Sequence, residues 1–222
     1  SFFSRKGERE MKTVCDLNKC AGCGACVDVC KKNAISIKDS LKTMNAVIDE
    51  SLCVNCSACE KVCPNNTEAK KEKPIEWYQG WVPAVRNHSS SGGAASGLIK
   101  TFILNGGYVA ACLFRDGQFL FDITNDIDYA KRFAGSKYVK SNPANIYSKI
   151  AEKLKDGNKV MFIGLPCQVA ALKNFVRNRE NLYTVDLICH GSPSPRILER
   201  FLNENKIDIA AIKDLKFRNK TA

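Results

Sequence analysis

Eight of the twelve cysteines carry a spacing that specifies chemistry. Cys20, Cys23, Cys26 and Cys30 form C-x2-C-x2-C-x3-C, and Cys53, Cys56, Cys59 and Cys63 repeat it, followed by Pro64. This run is the sequence signature of a pair of 4Fe–4S clusters. Three thiolates two residues apart wrap one corner of a cubane, and the fourth points away to serve the other cluster. The spacing therefore assigns Cys20, Cys23, Cys26 and Cys63 to one cluster, and Cys53, Cys56, Cys59 and Cys30 to the other. The chemistry of such a pair is one-electron transfer.

Two other uses of cysteine compete. A disulfide framework belongs to small extracellular domains, and it does not place thiols two residues apart twice over. Zinc uses C-x2-C pairs, but takes four ligands from two separated pairs, whereas here four thiols crowd into one short run. Iron–sulfur thiolates, with no apolar signal-peptide core near the N-terminus, point to the cytoplasm. The longest apolar stretch, Val160 to Leu172, is short and broken by Pro166, so no membrane span is expected.

Beyond the runs, Cys167 and Cys189 occupy equivalent places, each after a short apolar stretch that reads as a strand. Ligands of open α/β sheets bind outside such strand ends. Cys167 also follows Pro166 at a helix start, where the helix dipole favours a thiolate. A buried cysteine also serves as a small apolar residue. The paired placement favours function for Cys167 and Cys189, and the apolar use fits Cys112 and Cys15. His190 lies beside Cys189, where a protonated imidazole can donate to a bound ring; a surface turn is the simpler use for His88. The loop from Ser89 to Gly93 combines hydroxyls, flexible backbone and a helix start, which suits a phosphate. Lys137 is placed to contact one as well.

These residues need a scaffold to hold them. Alternation over Ala34–Lys38 and Ala46–Glu50 predicts a small antiparallel hairpin over the clusters, within an internally duplicated module. Residues 12–66 form this α+β ferredoxin-like two-cluster module, residues 67–79 read as a charged linker, and 80–222 as an α/β domain with a mixed or parallel sheet. In the second part, strands at Tyr108–Phe114 and Phe119–Ile123 flank an Asp116-Gly117 hairpin turn. Ile146–Lys155 is helical and closed by Gly157. Strands at Lys159–Ile163 and Leu182–Ile188 flank a helix from Cys167 to Phe175, a βαβ unit with parallel strands. Another helix spans Arg196–Asn205.

The net charge is +11, with Lys and Arg scattered rather than gathered in a stripe with interleaved aromatics. Nucleic-acid binding is unsupported, and a basic surface suits an acidic electron carrier or a phosphate-bearing cofactor.

Four segments in order, Ser90-Ser-Gly-Gly93, Ala134-Gly-Ser-Lys-Tyr-Val139, Gly164-Leu-Pro-Cys-Gln-Val-Ala-Ala-Leu172 and Asp186-Leu-Ile-Cys-His-Gly-Ser-Pro-Ser194, resemble the beta-subunit family of coenzyme F-420 (deazaflavin) hydrogenase and dehydrogenase. The resemblance spans about residues 80 to 220, and the N-terminal two-cluster module is also similar to family members. It implies an FAD-binding α/β domain that exchanges electrons between the clusters and a hydride-accepting substrate, a deazaflavin or another organic acceptor. It also implies an electron-donor or acceptor protein as partner. By this likeness Ser91, Gly92, Gly93, Gly135, Ser136 and Lys137 contact the flavin, while Cys167, Cys189 and His190 are the catalytic candidates by their placement at the strand ends. A third 4Fe–4S cluster on Cys167 and Cys189 is a further candidate. Family members usually continue past Phe217, so the sequence reads as truncated at its C-terminus. Two other functions are compatible with the residues: an electron-transfer module that docks a partner enzyme without flavin chemistry of its own, and a thiol reductase using Cys167 and Cys189.

Overall fold

The duplicated cysteine runs fold as duplicated structure. In the computed structural model, which describes residues 11–67, 72–87 and 89–218, each run feeds a one-turn helix, α1 (Ala25–Val29) and α2 (Ala58–Val62). Both start from a left-handed residue, Gly24 in the first and Ser57 in the second. Immediately before the second cysteine of each run, Gly22 and Asn55 are left-handed too. Between the runs, β1 (Ile35–Asp39) and β2 (Met44–Ile48) pair antiparallel with Ile35 opposite Ile48, as the alternation predicts. His88 and part of the charged linker lie outside the described residues.

The second part begins with α3 (Pro83–Arg86) and α4 (Ala94–Leu104). The hairpin β3 (Tyr108–Arg115) and β4 (Gln118–Thr124) turns through Asp116 and Gly117, both at positive φ, the conformation a two-residue hairpin of matching twist requires. A single turn, α5 (Ile127–Ala130), capped by the Asp126 carboxylate, leads on to α6 (Ile146–Lys155). Then come β5 (Val160–Gly164), α7 (Pro166–Phe175), β6 (Leu182–Asp186) and α8 (Pro195–Glu204). The sheet order is β4-β3-β5-β6, antiparallel at β3–β4 and parallel at β3–β5 and β5–β6. This is the mixed α/β sheet that the sequence implies.

Strand β5 is buried at every position because it is covered on both faces. Val109, Ala111, Leu113, Met161 and Ile163 face α4, forming one core with Ile99 and Ile103. On the opposite face, Ala110, Phe121, Val160 and Phe162 pack with Tyr147 and Ile150 of α6 and with Val169 and Leu172 of α7. That second core does not end at the α/β part. It continues into the cysteine module through Val14, Ala25, Ile35, Ile48 and Val62. Helices α6 and α7 are thus covered on one side by the sheet and on the other by the module.

Candidate redox site

The first step is local hydrogen bonding to sulfur. The Gly22 N–H donates to Cys20 Sγ at 3.3 Å, and the Asn55 N–H donates to Cys53 Sγ at 3.4 Å. The same bond, at the same place in each run, requires the left-handed turn just noted. All twelve cysteines are free thiols. Their electrostatic neighbours include thiols of both runs. Cys26 senses Cys23, Cys20 and Cys63, while Cys59 senses Cys30. The fourth cysteine of each run therefore stands with the other run. Among the described residues, no three Cys, His, Asp or Glu side chains converge on the position of one ion. A cubane has no such need, since each thiolate takes its own iron at a separate corner. The donor set, soft thiolates with backbone N–H groups aimed at sulfur, suits an iron–sulfur cluster.

The two groups differ in their surroundings. Cys23, Cys26 and Cys63 are buried, whereas Cys56 is exposed and Cys30, Cys53 and Cys59 are half-buried. Burial pushes the Cys23 thiol up to about 12, with Cys167, Cys63 and Cys20 adding to the rise, and it raises Cys26 further. Metal binding needs the deprotonated thiolates. The wall of the buried group is built by the α/β part. Tyr147, fully buried, donates its hydroxyl to the Cys23 carbonyl at 2.6 Å. Lys140 Nζ donates to the Ala21 carbonyl at 2.7 Å. The Ser148 N–H donates to Asp28 at 3.0 Å, and Arg196 Nη1 to the Asp39 carbonyl at 2.9 Å. Cys15 packs beside this group, its thiol raised to about 11 by burial and by Cys63.

Cys167 sits at the second position of α7 and senses both Cys23 and Cys189. Here the helix-dipole expectation needs correction. Its pKa is raised, because burial outweighs the lowering by Lys140 and by the backbone N–H groups of the first turn. Cys189, three residues past the end of β6, is exposed and accepts the Gly191 N–H at 3.4 Å.

A groove of about 620 Å³ opens over these strand ends. Its walls are the Ser89–Gly93 loop, residues 134–139, Leu165 and Gln168 at the start of α7 and the loop 187–192 carrying Cys189 and His190. All six residues that the resemblance assigns to flavin contact line it. Ser90 Oγ accepts the Ser136 N–H at 2.9 Å, tying the two loops together. A Cβ on Gly93, at φ +82°, would lie 2.8 Å from Val85 Cγ2, so this loop needs glycine to close. Lys137 plays a different part from the expected phosphate contact: its ammonium donates to the Phe133 and Ala134 carbonyls at 2.8 and 2.9 Å. A second cavity of about 840 Å³ shares the Ser89, Gly135 and Lys137 wall. Among the described residues it is lined by six cations, Lys100, Lys131, Arg132, Lys137, Lys216 and Arg218, against one carboxylate, Asp214. An anionic ligand is favoured there.

Three contributors are residues to which the sequence assigns no role, although Gln168 lies inside the Gly164–Leu172 motif. Gln168 is buried at 1% exposure; its Oε1 accepts the Leu165 N–H at 2.9 Å and its Nε2 donates to Ser141 Oγ at 3.1 Å, fixing the groove floor. Tyr147 and Lys140 are the others. Periodicity marks Tyr147 as core, and nothing local announces a partner 124 residues away.

Two segments of the chain match known protein families. Residues 19–67 match the 4Fe-4S dicluster domain. Residues 157–222 match the family described as the C terminus of the beta subunit in coenzyme F420 hydrogenase/dehydrogenase. One chain thus carries a segment similar to a 4Fe–4S dicluster domain ahead of a segment similar to the C terminus of the coenzyme F420 hydrogenase/dehydrogenase beta subunit. The resemblance read from the last two sequence motifs is thereby borne out, while Ser90–Gly93 and Ala134–Val139 lie outside the matched residues. No curated protein matches the chain. Among solved structures, it is similar to a chain of the F420-reducing [NiFe] hydrogenase complex from Methanosarcina barkeri, at 17% identity and a TM-score of 0.49, over 61% of this chain and 50% of that one. The chain thus spans half the length of that structure. Among the described residues no helix is long and apolar enough to cross a membrane.

Proposed function

We propose that this chain is an iron–sulfur flavoprotein oxidoreductase component, holding two 4Fe–4S clusters on its eight paired cysteines and FAD in the groove, and serving a hydride-accepting substrate such as a deazaflavin or another organic acceptor. The observation that carries the reading is one of placement. The groove floor and the buried cysteine group are joined by the first turn of α7, where Gln168 lines the groove and the adjacent Cys167 packs against the core that holds Cys23.

When bound, the clusters supply one-electron transfer and the flavin supplies conversion to two-electron chemistry. The chain's own residues do the rest. Gly92, Gly93 and the start of α4 present backbone N–H groups suited to a pyrophosphate. The cations of the adjoining cavity favour the same anion. Gln168 and Ser141 fix the floor, and Cys189 and His190 stand at the outer lip, where a substrate ring would arrive. Cys56 and Val54, both exposed, form the face that a protein electron donor or acceptor can reach. A soluble partner protein of the kind found in hydrogenase complexes fits this reading, as does the reducing cytoplasm, where the thiols stay unpaired.

Anaerobic purification with iron, sulfide and flavin counts tests it. About eight irons and one flavin per chain are expected. About eight irons with no flavin, even after incubation with FAD, would overturn the flavin assignment. About twelve irons would support a third cluster, for which Cys167 and Cys189 are candidate ligands.

A further inference from the structure

The two runs share a spacing but not a neighbourhood, and the difference is visible residue by residue. Where the second run has Asn55 and Ser57, the first has Gly22 and Gly24. A Cβ on Gly22 would lie 2.5 Å from Met44 Sδ, and one on Gly24 would lie 2.4 Å from Pro143 Cγ. The first run is pressed against protein, while the second faces solvent at Cys56, Val54 and Leu52.

Adding an electron to a cluster adds a negative charge. At the second run, water can answer that charge. At the first, water is largely excluded, and a fixed opposing charge must do so. Lys140 is placed for this. Its Nζ donates to the carbonyl of Ala21, between the ligands Cys20 and Cys23, at 2.7 Å. Its Cδ and Cε lie 3.6 Å from the position of a Cβ on Gly22. Its backbone is held by the Pro193 carbonyl at 2.9 Å and lies between buried Val139 and Ser141. The ammonium is therefore positioned by the α/β part but directed into the cysteine module.

We propose that Lys140 is a positioning residue that raises the reduction potential of the cluster held by Cys20, Cys23, Cys26 and Cys63, offsetting its burial. The proposal rests on the cysteine assignment and not on the occupant of the groove, so loss of the flavin reading leaves it intact.

The test is an EPR-monitored redox titration of the anaerobically purified protein, its Lys140→Gln, Lys140→Met and Lys140→Arg variants, and a Cys56→Ser variant whose altered signal marks the outer cluster. Gln keeps a donor for the Ala21 carbonyl while removing the charge. Gln and Met are expected to make the inner cluster about tenfold harder to reduce, about 59 mV more negative for a one-electron couple, with the outer wave unmoved and Arg close to the parent. Iron counts of about eight verify that both clusters are present. If Met fails to retain iron, Gln against Arg decides. An unmoved inner wave in Gln and Met overturns the proposal, as does an equal shift of both waves. A shift in Met but not in Gln also overturns it, because the effect would then belong to the hydrogen bond.

Discussion

The Tyr147 hydroxyl donates to the Cys23 carbonyl at 2.6 Å, joining helix α6 to the middle of the first cysteine run. The ring stacks on Phe175 at 5.8 Å and meets Phe162 at 6.3 Å, so the bond is held by packing on both sides. It ties the cysteine module to the domain that carries the groove. Tyr147→Phe keeps the ring and deletes the donor, leaving a buried carbonyl without it. A loss of about 1–3 kcal/mol is expected in anaerobic denaturant unfolding. An unchanged midpoint would show that the hydroxyl contributes nothing to docking.

A second prediction contrasts the equivalent positions Gly24 and Ser57. Gly24, at φ +75°, has Pro143 Cγ 2.4 Å from where a Cβ would stand. Gly24→Ala therefore combines left-handed strain with a collision against a rigid ring, and about 1–3 kcal/mol of destabilisation is expected. Ser57 already holds φ 55° at a half-buried position. Ser57→Gly relieves that strain, and its unfolding midpoint is expected to stay level or rise slightly. Equal effects at the two sites would contradict the asymmetry between the runs.

Much of this was legible in the sequence, and what was legible was local. The cysteine spacing, the β1–β2 alternation, the Asp116-Gly117 turn and the βαβ pattern around Cys167 each depend on residues a few positions apart. What escaped was long-range. The joining of the module to α6 and α7 rests on Tyr147, Lys140 and Ser148 meeting residues more than 100 positions earlier, and no periodicity encodes such a pairing. Cys167 shows the other kind of gap. Its place at a helix start was readable, but its burial was not, and burial decides the direction of its pKa. Lys137 likewise was recognisable as a groove residue, whereas its turn inward onto two carbonyls depends on the loop geometry.

The crossed ligand assignment yields a third prediction. Cys63→Ser is expected to perturb the same EPR signal as Cys20→Ser, and Cys30→Ser the same signal as Cys53→Ser, despite the reversed order in the chain. The basis is that Cys26 senses Cys63 and Cys59 senses Cys30. If Cys63→Ser instead altered the signal altered by Cys53→Ser, each run would hold its own cluster and the crossing would be wrong.

The last prediction concerns Lys137 and pH. Its pKa lies below the ordinary 10.5 because burial disfavours the charged form, with Cys112 and Asp214 only partly restoring it. In the unfolded chain the same amine binds its proton up to about 10.5. Between the lowered value and 10.5 the unfolded state therefore holds a proton that the folded state has released, so this group's contribution to stability rises with pH through that window. Below the lowered value the folded protein carries the cost of a partly desolvated ammonium, offset by the bonds to Phe133 and Ala134. Lys137→Met removes the titration and the two bonds together. The stability advantage of the parent over Lys137→Met should then widen as pH is raised from neutrality toward 10.5. Denaturant midpoints of the two proteins, measured side by side across that range, check it. A constant or narrowing difference would mean that the ammonium stays solvated, and that the Phe133–Lys137 loop is held by other contacts.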